Sequence, residues 1–221
     1  WAEHDFARGA SGGDKYPGIL AGRYGKIANL ADFVRKAQLM NYEAFRAMYE
    51  GRNAYLFHPD TGVITWMSNP AQPSFVWQIY HYDLEPNSSL FAVKKAAEMV
   101  HIQLDEETGE LQVINNQPTA VTGAAAKVTV YNLDGSVAAT KTYPVTAAAD
   151  VATGLGALDA SAATSPVYFV KLDLTDSTGK PLSSNFYWKA QAAHQDDLTA
   201  MDQMAVVKLD AQVSRADADG K

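Results

Sequence analysis

Cysteine is absent from the 221 residues, which removes disulfides, thiol chemistry and cysteine-ligated zinc from consideration. The absence leaves the compartment open, because secreted enzymes can lack cysteine too. No run approaches the roughly 18 apolar residues of a membrane-spanning helix, so no membrane partner is expected. Basic charge is also in short supply, with 18 Lys and Arg against 25 Asp and Glu and a net charge of −7. The basic residues are scattered, no stripe suits a phosphate backbone, and nucleic acid is not an expected partner. The five histidines, His4, His58, His81, His101 and His194, stand far apart without metal-ligand spacing. They read as surface or singly bonded imidazoles, and no metal or other cofactor is expected. The ends lack an initiator Met and a signal-peptide core, which raises the expectation of a fragment or processed polypeptide.

What is present is ordinary globular composition, 47% hydrophobic and 19% charged, enough for one large domain or two small ones. Residues Trp1 to Ala28 have no sustained period and contain Gly9, Gly12, Gly13, Pro17, Gly18 and Gly22, which predicts a long loop. Leu30, Phe33, Val34, Ala37, Met40, Ala44 and Met48 then recur at helical spacing. Asn29 is placed as N-cap and Gly51 as stop, and Asp32, Arg35, Lys36, Glu43, Arg46 and Glu50 form the polar face. Glu43 and Glu50 lie beside Arg and Lys and read as part of a solvated face. The run Val63-Ile64-Thr65-Trp66-Met67 predicts a strand buried on both faces, of the parallel kind. A proline-broken loop follows at Asn69–Pro73, and then an aromatic stretch from Phe75 to Tyr82 that the pattern leaves undecided. Asn87 and Ser88 predict the start of a second helix reaching about Val100.

From His101 the texture is all β. Candidate strands are His101–Leu104, Glu110–Asn115, Lys127–Asn132, Ser136–Tyr143, Val151–Leu158, Val167–Leu174 and Leu182–Lys189. Asp134-Gly135 and Ser177-Thr178-Gly179 supply hairpin turns. Seven short strands in about 90 residues predict an immunoglobulin-like β-sandwich. Gly154-Leu155-Gly156 has the look of a dinucleotide loop, but Asp159 stands where a third Gly belongs and no helix follows. Val207, Leu209, Ala211 and Val213 alternate with Lys208, Asp210 and Gln212, which predicts one more strand near the end.

The aromatic group Trp66, Trp77, Tyr80 and Tyr82, interleaved with Asn69, Gln72, Gln78 and Asp83, bears on function. Sugars bind where aromatic faces cover their C–H patches while amides and carboxylates take their hydroxyls. The same residues could equally fill core between strand and helix, and composition leaves both readings open.

Several stretches resemble glycoside hydrolase family 2, in particular bacterial exo-β-glucosaminidases and their β-mannosidase relatives. They are Ala21–Gly25, Asp32–Leu39, Thr61–Asn69, Lys94–Glu98 with His101–Gln103, Tyr131–Gly135 and Asn185–Trp188. The resemblance implies an α/β plus all-β chain: the C-terminal portion of a (β/α)8 barrel in residues 1–100 and an immunoglobulin-like β-sandwich in 101–190. Residues 191–221 would be a linker and the first strand of a further β domain. It also implies retaining hydrolysis by two glutamates about 5 Å apart, both matching positions upstream of Trp1, so that this chain carries no catalytic residue. Trp66, Asn69 and Gln72 are the implied substrate-binding residues, because barrel sites lie at the C-terminal ends of strands. Gln72 stands where relatives commonly carry a second Trp, which makes an outer subsite more polar. The implied partners are an oligosaccharide substrate and the remaining part of the same enzyme. The implied reaction is release of terminal β-linked glucosamine or mannose from oligosaccharides or N-glycans, in a secreted or periplasmic protein. An endo-β-mannosidase of glycoprotein glycans and a non-catalytic carbohydrate-binding or structural β module are the alternatives.

Overall fold

A computed structural model describes residues 15–56, 60–73, 78–208 (Ala193 by its backbone only) and 210–213. The expectations placed on His4, His58, Phe75, Trp77 and Leu209 lie outside the described residues. Helix α1, Tyr16–Tyr24, opens with proline in its first turn and ends at Gly25, whose φ of 89° only glycine adopts without strain. The predicted loop is therefore corrected over Tyr16–Tyr24, while its first 14 residues lie outside the described residues. Gly18 and Gly22 lie inside α1, where burial of Leu20 and Tyr24 offsets their helix cost of about 1 kcal/mol each.

Helix α2, Leu30–Ala54, starts as predicted: the Asn29 side chain accepts from the Asp32 N–H at 3.0 Å, and Asp32 accepts from the Ala28 N–H at 3.0 Å. Gly51 does not stop it. The helix continues three residues because Arg52 donates to Thr61 O (3.1 Å) and Asn53 to Ala96 O (2.8 Å). The expected solvated face is corrected more deeply. Lys36, Glu43, Arg46 and Glu50 are all buried, while Leu30, Val34 and Met48 on the apolar stripe are exposed. Much of its polar side packs against the rest of this chain, while Leu30, Val34 and Met48 of the apolar stripe face outward and Phe33 stays buried. Helix α3, Ser88–Ala96, is capped by Asn87 through the Ser89 N–H (2.9 Å), and ends four residues short of Val100, where the first strand begins.

The predicted buried strand Val63–Met67 is not a strand; the stretch is irregular and Ile64 is 97% exposed. A parallel strand needs neighbours on its edges, and among the described residues only a single parallel bridge, Leu56 to Asp60, forms nearby.

Seven strands follow: β1 Val100–Leu104, β2 Glu110–Asn115, β3 Val121–Asn132, β4 Val137–Ala147, β5 Val151–Ala157, β6 Val167–Thr175 and β7 Pro181–Ala190. They form two antiparallel sheets, β1-β2-β5 and β4-β3-β6-β7. This is the immunoglobulin-like sandwich, with β3 and β4 longer than their alternation suggested. Ile102, Leu104, Leu111 and Val113 of the first sheet meet Ala126, Val128, Val170, Leu172, Leu174 and Tyr187 of the second in one core. The Gly154–Gly156 stretch lies in β5, at a register shift opposite Leu111 and Gln112, with Gly156 at φ 103°. A second apolar cluster joins Leu20, Tyr24 and Phe33 of the helices to Val167 and Phe169 of β6 and to Leu198.

Leu198 belongs to a segment that returns from β7 to the helices. Its N–H donates to Arg23 O (2.8 Å), and 3-10 turns at Ala192–His194 and Thr199–Gln203 flank it. Asp202 pairs with Lys36 (3.0 Å), and Asp196 accepts from Arg23. Beyond it the expected last strand is not formed among the described residues. Val206, Val207 and Val213 are exposed and unladdered, as an alternating strand is without a sheet to join.

Candidate functional site

The three expected sugar-binding residues fall in one irregular stretch between α2 and α3. Trp66 is 79% exposed, Gln72 is exposed and Asn69 is half-buried. The indole therefore neither fills core nor hides its N–H. Ser68 Oγ donates to Asn69 Oδ1 at 2.9 Å, and the Trp66–Met67 peptide is cis.

The stretch is pinned from both sides. The Tyr49 hydroxyl of α2 meets Thr65 Oγ1 at 2.5 Å, and Arg52 holds Thr61 O. Ser68 O accepts from the N–H groups of Ile79 (3.1 Å) and Tyr80 (3.0 Å), which lays the half-buried Tyr80 beside the loop. The carbonyl of buried Gln78 takes Asn87 Nδ2 (2.7 Å) and Ser89 Oγ (3.0 Å). Gln38 of α2 caps the Ser88 N–H at 2.8 Å. An aromatic face is thus offered to solvent from a loop that α2 and α3 both fix, with the half-buried Asn69 amide also donating to Pro70 O at 3.4 Å.

His81, Asp83 and Glu85 bring one ligand atom each within 4.8 Å of one another, the only such group among the described residues. The reading of His81 as remote from other ligands is corrected to that extent. All three side chains are exposed, on a turn with Leu84 at φ 66°, as solvated acidic turns commonly are.

A second constellation escaped the sequence reading. Glu50, on the last turns of α2, is 3% exposed. Its Oε1 accepts from Asn185 Nδ2 (2.7 Å) and meets His101 Nε2 (3.0 Å), and its Oε2 accepts from the Tyr187 hydroxyl (2.8 Å). The other ring nitrogen of His101 faces Glu98 Oε2 at 3.2 Å. Glu98 also accepts from Lys95 (2.5 Å) and Ser183 (2.6 Å). Two carboxylate acceptors require both imidazole nitrogens to donate, which only the imidazolium does. Burial pushes the His101 pKa down, but hydrogen bonds and charge from Glu50 and Glu98 outweigh it, and the net is above the ordinary 6.5. Burial raises Glu98, yet His101, Lys95 and Ser183 hold it at about 2. Burial and Glu50 push the Tyr187 phenol well above its usual range, so it stays a donor.

Arg46 sits one turn before Glu50 and is fully buried. Its Nη1 donates to Phe186 O at 2.5 Å, and its guanidinium lies 4.0 Å from the Tyr187 ring centroid, with Tyr42 and Trp188 at 5.6 and 5.4 Å. A reading of His101 as a surface or singly bonded imidazole, and of Glu50 as solvated, is therefore corrected. The available signal was register: Glu43, Arg46 and Glu50 share one helix face, while His101 with Gln103 and Asn185 with Tyr187 alternate along strands. This junction joins α2 to the sandwich.

Comparison with known proteins agrees with this architecture. The family model described as the mannosidase Ig/CBM-like domain matches residues 107–192. The exo-β-D-glucosaminidase of Streptomyces avermitilis is 41% identical over 179 residues, 78% of this chain and 20% of that protein. The exo-β-D-glucosaminidase of Amycolatopsis orientalis is 40% identical over 184 residues, 79% of this chain and 17% of that protein. A mannosylglycoprotein endo-β-mannosidase of Lilium longiflorum is 30% identical over 200 residues, 85% and 20% respectively. Among solved structures, the Amycolatopsis orientalis exo-chitosanase CsxA superposes with a TM-score of 0.75 at 37% identity, over 79% of this chain and 21% of that one. A β-D-mannosidase of Dictyoglomus thermophilum shares the fold at a TM-score of 0.71 and 19% identity, over 85% of this chain and 23% of that one. The chain spans about a fifth of the length of these relatives.

Proposed function

Since the chain belongs to the exo-β-D-glucosaminidase and β-mannosidase group of glycoside hydrolase family 2, we propose that it is the part of a retaining β-glycosidase that walls the sugar site and carries the adjoining sandwich. The substrate would be a terminal β-linked glucosamine or mannose of an oligosaccharide or N-glycan, in a secreted or periplasmic parent. The acid/base and nucleophile glutamates would come from the remainder of that parent, and residues 1–100 would close its (β/α)8 barrel. The observation that carries the reading is Trp66, a ring 79% exposed beside Asn69 on a loop held by Tyr49 and Arg52. A flat apolar face with an amide next to it is the chemistry a pyranose requires. The outward apolar stripe of α2, with exposed Leu30, Val34 and Met48, supports a large partner covering this side. The lily relative, matched over 85% of this chain, keeps the endo-β-mannosidase reading as the second choice.

Trp66→Ala in the full-length parent should lower kcat/KM on aryl β-glucosaminide or β-mannoside by about 2–4 kcal/mol in transition-state stabilisation, with the fold intact. Unchanged kinetics in a folded variant would remove Trp66 from the sugar site. The 221-residue chain alone should not turn over either substrate. Activity that co-purifies with it and vanishes on mutating one of its own carboxylates would overturn the reading.

A further inference from the structure

We propose that His101 is a positioning residue for the Trp66 loop: bridging Glu50 and Glu98, it locks the last turns of α2, from which the loop hangs, onto the sandwich, and loosens them as the pH rises. The functional weight of this lock rests on the sugar-site reading of Trp66; the lock itself does not.

The geometry turns on residues 49 to 53. Tyr49 bonds Thr65 of the loop, and Arg52 bonds Thr61 O. Between them Glu50 points at the sandwich, where it meets His101, Asn185 and Tyr187, and its backbone carbonyl takes Gln103 Nε2 at 3.0 Å. Asn53 bonds Ala96 O at the end of α3. A helix turn moves as one body, so whatever fixes Glu50 also fixes the two side chains that hold the loop. His101 is the one member of this set that changes charge near neutral pH.

The groups facing His101 are Glu50 and Arg46 from α2, Glu98 and Lys95 from the end of α3 and the turn after it, and Tyr187 with neutral Ser183 and Asn185 from β7. Two carboxylates sit in direct contact with the ring, and Arg46 Nε lies 3.7 Å from Glu50 on its far side. Loss of the proton leaves one ring nitrogen without a hydrogen to share, against either buried Glu50 or the partly exposed Glu98. Because the folded pKa is raised, the contribution is complete below the unfolded value near 6.5 and disappears as pH climbs through the folded one.

The test uses the 221-residue chain, with no sugar and no activity. The His101 ring is followed by NMR from about pH 5 to about pH 9 while amide exchange, corrected for its intrinsic pH dependence, is read at Asp60, Ile79 and Tyr80, whose N–H groups anchor the loop. Protection at these three should fall by about tenfold or more across the ring titration, while Val128 and Val170 in the sandwich core hold theirs. His101→Gln should show the low protection at every pH. Where that variant does not fold, Glu98→Gln, which removes the more exposed carboxylate, should move the transition to lower pH. A ring that titrates with no response at the three amides overturns the lock, and so does a ring already neutral below its ordinary pKa. Either result leaves the sugar-site reading standing, just as an inactive parent would leave the lock standing.

Discussion

Replacing Glu50 by glutamine keeps the shape of the side chain and deletes its charge. The magnitude follows from what faces it: an imidazolium at 3.0 Å, the Asn185 amide at 2.7 Å and the Tyr187 hydroxyl at 2.8 Å, all inaccessible to water. Hydrogen bonds to a charged group contribute about 1.5–3 kcal/mol each, but three on one carboxylate do not add. The better guide is that removing one partner of a buried ion pair strands the other and costs about 3–5 kcal/mol. For a chain of this size that corresponds to a fall in Tm of about 6–20 °C. Urea unfolding at about pH 6, followed by aromatic circular dichroism, measures it for Glu50→Gln, His101→Gln and the double variant. The double variant should cost clearly less than the sum of the two single changes, because each strands the same partner. A Glu50→Gln cost below about 1 kcal/mol, or strictly additive losses, would refute the reasoning, since the pair would then be no better than a surface contact.

Leu198→Ala should destabilise by about 2–5 kcal/mol, because the side chain closes the cluster of Leu20, Tyr24 and Phe169; limited proteolysis should then cut within residues 192–203 before the sandwich. Glu98 is held at about 2, below its ordinary 4.5, so it contributes stability above about pH 4.5 that is lost as pH falls toward 2. Glu98→Gln should flatten that acid limb in equilibrium unfolding, and an unchanged slope would discount the His101 and Lys95 contacts. Asn29→Ala should cost about 1 kcal/mol through loss of the Asp32 N–H acceptor, read from the same unfolding curves.

The sequence by itself determined the elements whose cause is local. Alternation and the turns at Asp134-Gly135 and Ser177-Thr178-Gly179 set the strands, because period-two burial and glycine's left-handed conformations are properties of a few neighbouring residues. The same holds for the caps Asn29 and Asn87, which act within three residues of themselves. Only tertiary structure decided the rest. It made Gly18 and Gly22 helical by burying Leu20 and Tyr24 beside them, and it left Val63–Met67 irregular, since a parallel strand takes its hydrogen bonds from segments distant in sequence. It also buried much of the apparent polar face of α2. Glu43, Arg46 and Glu50 have the spacing of a solvated stripe, and nothing within one helix reveals that Arg23, His101, Asn185 and Tyr187 wait opposite. The exposure of Trp66 belongs to the same class: its residue type was legible in the chain, but the side it presents follows from Tyr49, Arg52 and Ser68 fixing the loop. A buried charge is tolerated only where its partners are, and the His101 and Asn185 partners of Glu50 lie more than 50 residues away.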